Sequence, residues 1–225
     1  MAYILQIETT TQQCSVAISY KGKTIAVIEE RTEGYSHSEK LHVFIEKLFS
    51  DTKILISNIQ AIAVSKGPGS YTGLRIGVAA SKGFCFALNL PLIAVNTLEI
   101  MAENISVDDG FIIPMLDARR MEVYTAVFDR NKKQIYPTTA LVLNADSFID
   151  IVDQQPCKVV GNGAEKFEQI QPKINANFDS EVYPSASQMS AIAWNKFQEK
   201  SFEDLAYFEP YYLKDFQTTP PKKQV

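Results

Sequence analysis

Apolar and polar residues alternate along the first thirty positions in the way that antiparallel strands require. Three β-prone runs, at residues 3–7, 14–20 and 24–29, are separated by a polar turn, Glu8–Gln13, and by a tight turn, Lys21–Lys23. The pattern predicts a meander of three strands at the start of the chain.

The pattern then changes to alternating helices and strands. Ser36 and Glu39 have the spacing of a capping box, which predicts that a helix begins there. A short apolar run at 59–65 predicts a strand buried on both faces, and a glycine-rich turn, residues 67–73, leads from it into a helix over 74–88.

The second half of the chain repeats this order of elements. A strand at 111–116, an acidic turn at 117–120 and an alternating strand at 122–128 repeat the opening, and a strand at 158–160 runs into a second glycine turn and a helix. Two related lobes across a cleft, each with an acidic turn facing it, describe an α/β, actin-like (ASKHA, ribonuclease H-like) fold with mixed sheets flanked by helices.

The repeat also predicts the domain organisation. We expect a first lobe over residues 1–105 and a smaller second lobe over 106–184. The helix at about 185–202, which begins with a second capping box at Ser185, is expected to pack back on the first lobe, and 218–225 to form a loose tail.

Composition and charge argue against a protein that binds nucleic acid by itself, a disulfide-bonded protein and a membrane protein. The chain has 225 residues, a net charge of −4 and a pI near 5.3, so it is a poor candidate for binding RNA unaided. Its three cysteines are scattered, which suits a reducing compartment. The start of the chain lacks a signal-peptide pattern, and the longest apolar stretch, 76–88, is interrupted by Lys82. We expect a cytoplasmic protein that does not enter a membrane.

The motif Gly67–Gly77 is open to several chemical interpretations. A P-loop needs a lysine after its last glycine, and a nucleophile elbow needs the spacing G-x-S-x-G; the motif has neither. The remaining interpretations are a structural turn, whose glycines allow close backbone approach and whose Thr72 caps the helix, and an anion site at the helix N-terminus.

The helix over 74–88 is apolar on nearly all sides, with Arg75 and Lys82 as its polar residues. Such a helix must be covered on all sides. It is therefore either a central core helix or a helix whose outer face another protein chain completes.

Two further sets of residues have the chemistry of a metal or nucleotide site. His37 and His42 are five residues apart, roughly 140° around a helix, so they do not form a metal-binding pair. Glu8 and Asp117 lie in the two acidic turns, where an actin-like cleft would face nucleotide phosphates and magnesium, and Arg119 and the glycine turn Gly161–Gly163 accompany them. The alternatives are ordinary turn acids or a vestigial nucleotide cleft.

Several motifs resemble one family. These are Ile4–Thr10 with Cys14–Ala17, His37–Glu39, Gly67–Gly77, Lys82–Gly83, Asn96–Glu99 and Asp117–Tyr124, followed more weakly by Gly161–Gly163 and Glu209–Leu213. Together they are similar to the TsaB (YeaZ) family, with one departure: Glu8 stands where that family more often has Asp.

The resemblance implies a subunit of the machinery that makes threonylcarbamoyladenosine (t6A) at adenosine 37 of tRNAs reading ANN codons. It implies that TsaD carries the metal and the catalysis, and that this chain binds and activates TsaD without catalytic residues or a cofactor of its own. TsaE would join the pair in a ternary complex, and the chain would form a homodimer when alone. Direct binding of tRNA by this chain is not expected.

The resemblance also locates the partner surface on the helices near 36–50 and 73–88. The residues chosen from them as partner-binding are His37, Leu41, Leu74, Val78, Ser81 and Phe84. Two enzyme hypotheses remain beside this one: a small actin-like ATP-dependent kinase or ATPase, and a metallopeptidase of the glycoprotease family.

Overall fold

The first lobe is built on a mixed sheet whose strands all come from the first hundred residues. The computed structural model describes residues 2–32 and 36–214, so the predicted loose tail at 218–225 lies outside the described residues. The strands are β1 (Tyr3–Glu8), β2 (Gln13–Tyr20), β3 (Lys23–Arg31), β4 (Ile59–Gly67) and β5 (Leu92–Asn96). The helices are α1 (His37–Thr52), α2 (Tyr71–Leu88) and α3 (Thr97–Glu103).

The second lobe is built on a second mixed sheet. Its strands are β6 (Phe111–Asp117), β7 (Glu122–Asp129), β8 (Gln134–Val142), β9 (Cys157–Val160) and β10 (Ala176–Asp179). The short helices α4 (Ile149–Val152) and α5 (Ala164–Ile170) belong to it, and α6 (Ser190–Gln198) follows. The sequence pattern did not predict β10, because this strand is only four residues long and largely polar.

The two sheets have the same topology. The strand orders are β3-β2-β1-β4-β5 and β8-β7-β6-β9-β10. In each sheet the meander pairs are antiparallel, and the two remaining strands add in parallel. The repeat of pattern between the two halves is therefore a repeat of topology.

Helices cover both faces of the first sheet. On one face, α1 and α2 bury a core that includes Leu41, Val78 and Cys85. On the other face, Ala193 of α6 and Met189 of the 3₁₀ turn before it pack against β1, β4 and β5. The chain thus returns to the first lobe after completing the second.

The helix α3 joins the lobes. Its Leu98 and Met101 pack with Ile112 and Leu116 of β6, and Val160 of β9 completes the same apolar cluster. Burial of these side chains fixes the lobes against each other on this side of the molecule.

The helix caps differ in part from those predicted. Ser36 precedes α1 but makes no side-chain capping bond among the described residues; its hydroxyl lies 3.3 Å from that of Thr32. The helix α2 begins earlier than predicted, because Ser70 Oγ accepts the Gly73 N–H at 3.3 Å, and Thr72 lies within the helix. The capping box at Ser185 is confirmed, although it begins a 3₁₀ turn, Ala186–Met189, ahead of α6.

Candidate functional site

The glycine motif packs the first acidic turn directly against α2. A Cβ atom on Gly69 would lie 2.5 Å from the Thr10 carbonyl oxygen, and one on Gly73 would lie 2.0 Å from that of Thr9. A Cβ on Gly77 would lie 2.3 Å from Thr9 Oγ1. Gly73 and Gly77 are four residues apart on α2 and so share one face of it, and Gly69 lies just before the helix; together they leave room for the turn. The structure therefore favours the structural interpretation of this motif.

Hydrogen bonds fasten the same turn. The Ser70 N–H donates to the Thr10 carbonyl at 2.7 Å, and the Thr9 hydroxyl donates to the Gly73 carbonyl at 2.8 Å. These bonds use polar groups of the turn that a ligand would otherwise contact.

Glu8, at the end of β1, is buried beneath the first acidic turn. Its Oε1 accepts the backbone N–H and the hydroxyl of Thr10, both at 2.5 Å, whereas its Oε2 has no partner among the described residues. Burial raises the pKa of the carboxyl to about 7, and the bonds from Thr10 offset only part of that rise. The carboxyl is therefore partly protonated near neutral pH and does not line the cleft.

A cleft of about 690 Å³ separates the lobes. Its walls are formed by residues 10–12, 68–72, 74, 116–119, 124, 162 and 211–214. Asp117 and Arg119 line it, and that it binds a nucleotide stays a prediction. The Asp117 carboxylate accepts a hydrogen bond from the Arg119 backbone N–H at 2.6 Å. It also forms an ion pair with Lys166, whose Nζ lies 2.7 Å from Oδ1.

The two glycines of the second glycine turn support the end of β6, and Asn162 between them lines the cleft. The Gly161 N–H donates to Asp179 at 2.9 Å, and the Gly163 N–H donates to Met115 at 3.0 Å. Gly161 has a φ of +104°, and a Cβ there would lie 2.5 Å from the Met115 carbonyl oxygen. The cleft thus brings together Asp117 and Arg119, but neither Glu8 nor these two glycines.

The predicted partner-binding residues require a correction. His37, Leu41, Leu74, Val78 and Ser81 are buried within the chain itself. The reason is that α1 and α2 turn this side towards the sheet and towards each other. Of the six residues chosen, Phe84 alone is partly exposed. That α1 and α2 form a partner surface stays a prediction.

The outward face of α2 is apolar and exposed. It carries Ala79, Gly83, Phe86 and Ala87. The Phe86 side chain is 83% exposed, and a Cβ on Gly83 would meet no atom within 4 Å. The sequence pattern does not single out Phe86, although a helix that is apolar on nearly all sides indicates that some apolar residue faces outward.

The two histidines have separate structural surroundings. His37 Nε2 lies 2.8 Å from the Thr11 carbonyl oxygen, and burial lowers the pKa of the ring. His42 is exposed, and its ring lies 6.0 Å from that of Phe84. Within 2–32 and 36–214, no three His, Cys, Asp or Glu side chains gather as a metal-ligand set.

The described part of the chain also contains no helix long and apolar enough to cross a bilayer.

Comparisons with solved structures identify the fold. YeaZ from Pseudomonas aeruginosa superposes with a TM-score of 0.80 at 25% identity, covering 95% of this chain and 100% of that one. The ethanolamine utilization protein EutJ from Carboxydothermus hydrogenoformans has a TM-score of 0.52 at 12% identity over 85% of this chain and 90% of its own, a likeness of fold alone. Two lobes with mixed sheets of one topology and these neighbours make the fold actin-like.

Sequence comparisons identify the family. A family model described as TsaD, tRNA N6-adenosine threonylcarbamoyltransferase, matches residues 30–224. The tRNA threonylcarbamoyladenosine biosynthesis protein TsaB of Escherichia coli (strain K12) is 30% identical over 220 residues, 94% of each chain. TsaB of Haemophilus influenzae is 25% identical over 228 residues, 94% of this chain and 93% of its own. The chain belongs to the TsaB (YeaZ) family of tRNA threonylcarbamoyladenosine biosynthesis proteins.

Proposed function

We propose that this chain is a non-catalytic cytoplasmic subunit that binds and activates TsaD. The reaction that TsaD would catalyse in this complex is threonylcarbamoylation of adenosine 37 in tRNAs that read ANN codons. TsaE joins the two proteins in a ternary complex. The observation that carries the proposal is the exposed apolar face of α2, around Gly83 and Phe86, in a member of this family.

The geometry of α2 supports a helix as the contacting element of the partner. Ala79, Gly83 and Ala87 follow one another at four-residue intervals and are all exposed, so a second helix can approach the α2 backbone closely. Phe86, one turn from Lys82, adds a large apolar side chain of the kind that anchors interfaces.

The family comparison supports the identity of the partner. Residues 30–224 match the TsaD model, so this chain and TsaD share ancestry over most of this chain's length. Related chains can pair equivalent helices about an approximate two-fold axis. The same face would pair two copies of this chain when TsaD is absent.

The sealed first turn supports the absence of catalysis. In an actin-like kinase, a carboxylate in this turn must reach magnesium and phosphate. Glu8 is fully buried, and its Oε1 accepts hydrogen bonds from Thr10 of its own turn. The side chain is therefore turned inward, away from a ligand in the cleft.

A binding experiment tests the partner surface. Gly83→Leu adds a side chain where space is open, so the variant is expected to fold normally but to hold a partner helix away. Phe86→Asp puts a charge on the same face. We expect each variant to weaken binding of TsaD from the same organism at least tenfold by titration calorimetry, and to slow t6A formation in a reconstituted reaction.

The matched control is Val142→Asp, an exposed apolar residue on β8 of the other lobe, 62% exposed. This variant should bind TsaD like the unmodified chain. The proposal fails if both α2 variants bind TsaD normally, or if tRNA modification runs at its full rate without this chain.

The alternative function is a kinase or ATPase. It is favoured by Asp117 and Arg119, which line the cleft where a nucleotide would bind in an actin-like enzyme. Measuring ATP turnover by the purified chain with magnesium separates the two functions. We expect no turnover above background; turnover that is lost in Asp117→Asn would favour the enzyme.

A further inference from the structure

The last described segment, residues 203–214, runs across the molecule as a strap and is named here the C-terminal strap. It begins at the edge of the first sheet, where the Glu203 N–H donates to the Leu92 carbonyl at 2.9 Å. It ends at the second lobe, where Lys214 forms an ion pair with Glu122 of β7. Between these ends it borders the cleft at residues 211–214.

The strap is held firmly on the first lobe. Lys82 of α2 donates to the carbonyl oxygens of Ala206 and Phe208 at 3.2 and 3.0 Å. The Phe208 ring is buried in the core beneath α1 and α2. These contacts lie on both sides of Tyr207 and fix the backbone there.

Further contacts bring the strap to the mouth of the cleft. The Tyr211 N–H donates to the Lys66 carbonyl at 2.7 Å, at the end of β4. The next residue, Gly67, must lack a side chain, since a Cβ there would lie 2.8 Å from the Tyr211 carbonyl oxygen. The Tyr212 ring then lies 5.0 Å from the ring of Tyr71, at the start of α2.

Within the described residues, the strap meets β7 of the second lobe through a partly buried ion pair of Lys214 with Glu122. The Lys214 and Glu122 side chains are 29% and 20% exposed, so the pair is less screened by solvent than one on an open surface. The lobes are also joined through the apolar contacts of α3, whose cluster shares Leu116 and Tyr124 with the walls of the cleft. The strap therefore adds a polar contact between the lobes beside the same cleft.

We propose that the C-terminal strap is a latch that sets the closure of the two lobes. Its first-lobe anchors hold it in place, and the ion pair between Lys214 and Glu122 holds the second lobe against it across the cleft. Loss of that ion pair lets the second lobe swing about α3 and opens the cleft. The proposal does not depend on the identity of the partner bound by α2.

A distance measurement on the full chain tests the latch. Spin labels at Ser57→Cys in the first lobe and Asn131→Cys in the second report the lobe separation, and the native cysteines are buried and so protected from labelling. We expect a narrow distance distribution in the parent and a broader one, shifted to a different separation, in Lys214→Met.

A second readout follows the strap itself by hydrogen exchange. The amide of Tyr211 is protected by its bond to Lys66, and we expect Lys214→Met to raise its exchange rate about fivefold. The charge-exchanged variant, Lys214→Glu with Glu122→Lys, should restore both the distance distribution and the protection.

The matched control is Lys47→Met, which removes an ion pair with Asp51 inside α1, far from the cleft. This variant should change neither readout. If Lys214→Met, folded by circular dichroism, leaves the lobe distances and the Tyr211 exchange unchanged, the latch proposal is wrong.

Discussion

Replacing Glu8 by Gln tests whether the Glu8 carboxyl is buried beneath its turn, because burial changes the pH at which the carboxyl ionises. The pKa of the carboxyl rises from an ordinary value of 4.5 to about 7 in the folded chain, a difference of about 2.5 pH units. At about 1.4 kcal/mol per unit, ionisation of Glu8 reduces the free energy of unfolding by about 3 kcal/mol at high pH. Glutamine keeps the shape of the side chain, and its carboxamide does not ionise in this pH range.

The direction of the pH dependence follows from the raised pKa. Below pH 4.5 the carboxyl is protonated in both states, so its contribution to stability is fully present. Between pH 4.5 and 7 the unfolded chain loses the proton more readily than the folded chain, so stability falls as pH rises. Above pH 7 both states are ionised and the loss is complete.

Urea denaturation at several values from pH 4.5 to 8.5 measures this effect. We expect Glu8→Gln to gain about 3 kcal/mol relative to the unmodified chain between the two ends of the range. Glu46→Gln, at an exposed position on α1, is the control and should show little change. A difference between Glu8→Gln and the parent that is the same at every pH would refute the reasoning, because it would mean that the carboxyl ionises as it does in water.

Three other predictions test packing and caps, each by the free energy of unfolding. Gly73→Ala should destabilise the chain by more than about 2 kcal/mol because its Cβ meets backbone, whereas Gly83→Ala, in the same helix but in open space, should stabilise it by about 0.5–1 kcal/mol. The reverse order would show that the packing of the turn against α2 is wrong. Ser70→Ala should cost about 1 kcal/mol and Thr72→Ala little, since Ser70 is the cap; equal costs would contradict that assignment. Phe167→Ala, at a fully buried position in the second lobe, should cost about 3–5 kcal/mol, and a cost below about 1 kcal/mol would place the side chain outside the core.

Much of the fold was predictable because its signals are local. The strand meander at the start of the chain, its repeat after residue 110 and the helix that follows the glycine motif are each visible as a period of two or of 3.6 in consecutive residues. The family resemblance rests on the same continuous segments. The four-residue strand β10 was missed, since its pairing with β9 stabilises it and its own pattern does not.

The candidate site was only partly predictable. Asp117 and Arg119, which the sequence assigned to a cleft, line one, because a turn between two strands of a meander lies at the ends of the strands; a nucleotide role for them stays a prediction. The sequence named Thr72 as the cap of α2, whereas Ser70, which has an equally suitable hydroxyl two residues earlier, accepts the capping bond. It also placed Glu8 in the cleft, which the packing of α2 against the turn excludes.

The sequence by itself thus determined the order of the elements, the two-lobed pattern and the family. The tertiary structure decided which groups are buried: Glu8 under its own turn, Val78 against the sheet, and Phe86 left facing outward. The physical reason is that periodicity is a property of neighbouring residues, whereas burial depends on which distant elements cover a helix or a turn. An apolar helix such as α2 shows in its sequence that it must be covered, and only the packed lobe shows which face still lacks a neighbour.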